Sequence, residues 1–164
     1  MSPVTAMSNT EDLIHVIDST ALIENILNQV IEVFCEPRQE PFMFFWNVVL
    51  DSSIMSMGSK VKVTMAIAQE LGVKLDQNAI HTVMSLRNAF AHHKTESHQV
   101  LVVGKSREED KMHCQLQILS NSGKLSRKRR DDAISEFNTS YRLAKESLIA
   151  LLDAIKTQRA ISAA

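Results

Sequence analysis

A chain of 164 residues, 45% hydrophobic and 23% charged with a net charge of −1, is long enough to bury a core without metal or disulfide staples. Near-neutrality excludes a polycationic binder, so any nucleic-acid contact has to come from a local patch. Four Gly and three Pro favour long helices over a many-turned β fold, and the two cysteines, Cys35 and Cys114, form no CxxC pair and are too few for a disulfide scaffold.

The opening MSPVTAMSNTEDL has neither a basic n-region nor an apolar h-region, and no run approaches the roughly 18 apolar residues of a membrane span. A soluble cytoplasmic protein with reduced thiols is expected. Ser8 and Glu11 have the spacing of a capping box, predicting the start of a first helix. Leu13, Val16, Ile17, Ile23, Ile26, Leu27, Val30, Ile31 and Phe34 follow at near-helical spacing. Pro37 ends that helix, because it lacks a donor and restricts Glu36 before it.

A second, aromatic-rich helix is predicted from about Phe42 to Met55, its Phe42–Trp46 stretch suited to core or dimer interface. A third covers SKVKVTMAIAQELG, with Val61, Met65, Ala68 and Leu71 on one side and Gly72 as its C′ residue. Asp76 is placed to cap a fourth, from Gln77 to about His92. The period then changes to two: residues 99–103 and 112–119 read as strands of a small β-hairpin, inserted at about 98–120. The last helix is expected after GKLS, capped by Ser126 and running to about Gln158 with a frayed tail beyond. Its Ile134, Phe137, Tyr141, Ala144, Leu148, Leu151 and Ile155 alternate steps of three and four, the spacing of a bundle seam. The whole reads as one mainly α domain over residues 1–164, with a core of about 10–158: an up-down bundle of four to five helices with a hairpin insertion before the last.

The fourth helix carries the chemistry. Ala79, Ile80, Val83, Leu86, Phe90 and Ala91 make an apolar side, and His81, Ser85, Asn88 and His92 a polar stripe. From Gln77 to His93 the only charged side chain is Arg87, whereas a solvated face normally carries Lys and Glu. The stripe therefore reads as a site or subunit interface in preference to a merely wet face. Arg87 sits on the apolar side, so it either snorkels to the rim or has an anionic partner: Glu24, Asp18 or a phosphate.

Arg87-Asn88-x-x-Ala91-His92 resembles the signature of the HEPN superfamily, in which an Arg and a polar residue precede a His by this spacing. His93 also satisfies the looser spacing, and Arg107 to His113 is a second loose copy. The preceding GSKVKVTMAIAQELGVK is similar to the corresponding stretch of mannitol operon repressor-like members. The likeness spans residues 10–158, with only the motif helix specific. It implies a HEPN-like helical bundle and a metal-independent endoribonuclease of toxin or defence type. In such an enzyme the RNA 2′-hydroxyl attacks its own phosphodiester, His92 (or His93) moves the proton, Arg87 holds phosphate oxygens and Asn88 supports them. The resemblance also implies a homodimer whose motif helices share a cleft. That fits the geometry, because residues five apart on a helix point about 140° from each other. Without catalysis, the same resemblance implies a regulatory or protein-binding module, and in either case an antitoxin or regulatory protein is a natural partner.

Lys124, Arg127, Lys128, Arg129 and Arg130 form a basic run at the predicted start of the last helix, where cations oppose the helix dipole. The run is the best RNA-contact candidate, with a screened surface cluster as the competing reading. Six histidines, among them His92, His93 and His98, come without the carboxylate pattern of a zinc site. Neither metal nor cofactor is expected.

Overall fold

The computed structural model describes residues 3–37, 39–92, 99–102, 111–120 and 122–162. Five α-helices appear among them: α1 (Pro3–Cys35), α2 (Gln39–Phe44), α3 (Met57–Glu70), α4 (Gln77–His92) and α5 (Arg130–Ser162). Strands β1 (Gln99–Val102), β2 (Lys111–Leu119) and β3 (Leu125–Arg129) lie between α4 and α5. The protein is thus mainly α, a helical bundle with a β-hairpin insertion before the last helix.

Several boundaries move from their sequence-based positions. α1 begins at Pro3, so Ser8 and Glu11 lie inside the helix; proline is tolerated in a first turn because its missing N–H has no helical partner there. The aromatic segment is not one helix to Met55. α2 passes into a π-helical turn, Phe45–Val49, closed at Leu50 by its N–H to the Phe45 carbonyl at 3.0 Å. Phe45 and Trp46 pack on the core, while Met43, Phe44 and Val48 are exposed.

α3 starts two residues early because Ser56 caps it, its hydroxyl accepting from the Ser59 N–H. It stops as expected: Gly72 is left-handed at φ +65, Val73 N–H reaches the Ala68 carbonyl at 2.9 Å, and Gly72 N–H reaches Gln69 at 3.1 Å. Those two bonds make a Schellman cap.

The largest correction concerns residues 125–129. They are not the first turn of the last helix but strand β3, antiparallel to β2, with Leu119 opposite Leu125 and Gln115 opposite Arg129. Ser126 is therefore no cap; its hydroxyl donates to the Ile118 carbonyl at 3.4 Å. Gly123, at φ +79, lets the chain reverse, its N–H meeting the Ser120 carbonyl at 2.9 Å. Among the described residues β1 pairs with Lys111–Cys114 of β2, and β3 with Gln115–Leu119. α5 then runs to Ser162, past the expected fraying point.

The chain divides into two compact units whose limits fall inside α1, α4 and α5. One comprises residues 1–20 and 81–141, with Val16, Val83, Leu86, Phe90, Leu116, Ala133 and Phe137 among its buried side chains. The other comprises residues 21–80 and 142–164, around Val30, Ile31, Leu50, Ile67, Ala68, Leu151, Leu152 and Ile155. The α5 seam divides between them, and Phe137, Ala144, Leu148, Leu151 and Ile155 are all buried. Among the described residues no helix is long and apolar enough to cross a membrane.

Candidate functional site

α4 is fixed at its start by Asp76, whose Oδ1 accepts the Ala79 N–H at 3.0 Å, and remains helical through His92. Its apolar side is buried at Ala79, Ile80, Val83, Leu86 and Phe90, with two differences from the sequence reading. Ala89 is buried and Ala91 exposed, so the buried sector is rotated slightly toward the Ala89 side.

Arg130 secures the last turns of this helix. Its guanidinium is 5.0 Å from the centroid of the Phe90 ring, and its Nε donates to Asp12 Oδ2 at 3.0 Å. Only 9% of the residue is exposed, so the charge is removed from water, and the Asp12 carboxylate and the ring face compensate. The last cation of the basic run thus joins α1, α4 and α5, and its burial sets it apart from a nucleic-acid contact.

Arg87 is half-buried and bends round the helix, its Nη1 donating to Asn88 Oδ1 at 3.2 Å. Among the described residues no carboxylate lies within ion-pair distance of it; Glu24, one partner the sequence offers, binds Lys60 at 2.6 Å instead. Asn88 and His92 are exposed one turn apart on a common face, while His81 and Ser85, further back on the stripe, are half-buried. The structure therefore brings Arg87 and Asn88 together and sets His92 on the same edge as Asn88. His93, and the Arg107 of the second motif copy, lie outside the described residues.

Such an edge offers a planar cation, an amide and an imidazole with, among the described residues, no acid to neutralise the cation. It can bind an oxyanion through Arg87 and Asn88 and exchange a proton at His92. Because α4 is helical to His92, no unwinding of the chain end swings His92 toward Arg87.

Strand β3 divides the rest of the basic run. In an antiparallel pair, opposed residues share a face. Lys128 lies opposite buried Leu116 and is tied to Glu136, so it serves the inner face. Arg127 and Arg129 lie opposite Gln117 and Gln115 on the outer face, and Lys124 is exposed at the turn. Sequence proximity alone had made these five cations equivalent; the register separates them.

The buried Lys60 escaped the sequence reading, although it falls four before Thr64 and seven before Ile67, both buried, and so shares their side of α3. Asp51 is the other polar residue set by its turn: the Ser53 hydroxyl and N–H donate to its Oδ1 at 2.5 and 2.8 Å and hold the carboxyl below its ordinary range. Among the described residues no group of three His, Cys, Asp or Glu could hold a metal ion. An open cavity of about 710 Å³, lined by Lys74, Asp76, Asn78 and Glu146, contains none of the candidate site residues. No protein-family model, curated protein or solved structure matches the chain.

Proposed function

We propose that this protein is a metal-independent endoribonuclease of toxin or defence type, acting in the cytoplasm as a homodimer. The observation that carries the reading is Arg87: a half-buried guanidinium bonded to Asn88, with no ion-pairing carboxylate among the described residues, and an exposed His92 one turn beyond Asn88. The resemblance of Arg87-Asn88-x-x-Ala91-His92 to the HEPN signature supports the same reading.

In the reaction the 2′-oxygen of RNA gives up its proton to His92 and attacks the adjacent phosphorus. The new P–O2′ bond forms as the P–O5′ bond breaks, and the departing 5′-oxygen takes a proton, leaving a 2′,3′-cyclic phosphate. Arg87 offsets the charge gathering on the phosphate oxygens, with Asn88 as a second donor. Incubation with mixed RNA in excess chelator tests this. Wild type is expected to produce cyclic-phosphate ends, whereas Arg87→Ala and His92→Ala lose roughly 100-fold or more. Equal, negligible cleavage by all three folded proteins would overturn it.

The second reading is a non-catalytic regulatory or protein-binding module. The exposed Arg127 and Arg129 face of the hairpin favours it, since a binding surface needs no chemistry. Toxicity on expression separates the two: a nuclease selects for lesions at Arg87 or His92, and a regulator does not.

A further inference from the structure

Two open cavities adjoin on the unit that comprises residues 21–80 and 142–164. One, of about 710 Å³, reaches α5 at Leu143; the other, of about 560 Å³, reaches α3 at Lys62, Met65 and Gln69. They share Lys74 and Leu75, on the link between α3 and α4, and Gln77, the first residue of α4. Every residue that lines them is described, and none adjoins an undescribed segment.

The shared wall is held on both sides. Val73 and Leu75 pack against the core, the Schellman cap at Gly72 fixes the chain before them, and the Asp76 cap fixes it after. An occupant therefore meets a surface already in shape, and little ordering opposes binding. The charges along it are unevenly satisfied. Both carboxylates are engaged: Asp76 Oδ1 accepts from the Ala79 N–H, and the two oxygens of Glu146 accept from Arg142 Nη1 at 3.0 and 3.1 Å. Both cations, Lys62 and Lys74, are exposed and have no ion-pair partner among the described residues. The side-chain amides of Gln69, Gln77 and Asn78 are exposed too, and none has a hydrogen-bond partner among the described residues.

We propose that these cavities dock an extended, acidic segment of a partner protein. Lys62 and Lys74 meet its carboxylates, Met65, Leu75 and Leu143 its apolar side chains, and the three amides its main-chain N–H and C=O groups. The segment is extended because a helix satisfies its backbone internally and would leave the amides idle. A nucleic acid fits less well, since among the described residues no aromatic ring lines either cavity to stack a base. This inference goes beyond the ribonuclease reading and does not rest on it: Gln77 and His92 stand at opposite ends of α4, about 22 Å apart along its axis.

The test is selection of bound sequences from a random library of short peptides by the full-length protein. Anisotropy titration of the labelled winner follows, beside a version with its acids replaced by Lys. Enrichment of Asp or Glu together with large apolar residues is expected, and the Lys version should bind at least tenfold more weakly. Lys74→Glu and Lys62→Glu should each weaken the selected peptide by roughly tenfold, with unchanged thermal unfolding because both side chains are exposed. Lys124→Glu, exposed in the other unit, should leave the affinity unchanged, and a single-stranded RNA of matching charge should not displace the peptide. Absence of acidic enrichment, binding indifferent to Lys62 and Lys74, an equal loss from Lys124→Glu, or displacement by the RNA would each overturn the assignment.

Discussion

Lys60 carries its charge into the interior of one unit, only 1% exposed, where the Glu24 carboxylate meets its ammonium at 2.6 Å. The two ends of this pair are not equivalent, since Glu24 keeps 26% of its side chain in contact with water. Removing Lys60 leaves a carboxylate that solvent can still reach; removing Glu24 strands a cation that solvent cannot. Glu24→Leu should therefore cost about 3–5 kcal/mol, as for any buried charge deprived of its partner. Lys60→Met, similar in shape, should cost well under half as much. Denaturant melts of the two variants measure the difference, and equal costs would show that Lys60 finds water or another acceptor. On the same two helices, one turn further along each, Asn28 Oδ1 and Thr64 Oγ1 are buried with no hydrogen-bond partner among the described residues. The polar content of this region is thus only partly compensated, which makes the one good pair matter more.

At the scale of elements, α1 and α3 end in left-handed residues of opposite type. Past α3 stands Gly72 at φ +65, where an added Cβ would meet nothing within 4 Å. Past α1 stands Glu36 at φ +49, a conformation that costs a side-chain-bearing residue about 1–2 kcal/mol. Glu36 holds it where Arg159 braces the terminus. The Arg159 Nη2 donates to the Phe34 carbonyl at 3.1 Å, and its Nη1 pairs with Glu36 Oε1 at 3.1 Å. Gly72→Ala should thus lose about 1 kcal/mol through backbone conformation alone, whereas Glu36→Gly should hold or raise stability despite losing an exposed ion pair. Chemical denaturation of both variants checks the sign. These helix ends were legible in sequence because Gly72, Asp76 and Pro37 act locally, as were α4 and the α5 seam, where apolar spacing repeats over many turns. Strand β3 was not. Its LSRKR has no apolar alternation, and what makes it extended is its pairing with β2, a tertiary contact that overrides local preference. The site was half-legible for the same reason: the stripe of Asn88 and His92 follows from helical spacing, but the burial of Arg130 depends on Asp12 and Phe90, which are distant in the chain.

For the whole molecule, the geometry of α4 bears on whether the proposed ribonuclease site belongs to one chain or two. Arg87 reaches Asn88, but Arg87 and His92 leave a regular helix about 140° apart, and α4 is regular to His92. If two α4 helices face each other across a twofold axis, the Arg87 of one lies beside the His92 of the other, and each dimer holds two such sites. A dimer of one Arg87→Ala chain and one His92→Ala chain then has one site lacking both groups and one site intact. Unfolding the two inactive variants together and refolding them should pair chains at random. Half the dimers are then mixed, each with one of two sites working, so about a quarter of wild-type cleavage should return. Subunit exchange without any recovery would place the Arg87, Asn88 and His92 edge within a single chain, with the Arg87–Asn88 hydrogen bond as the link that closes it. Recovery would make dimerisation a condition of activity, so cleavage per chain should fall on dilution below the dimer dissociation constant while the single-chain alternative stays constant.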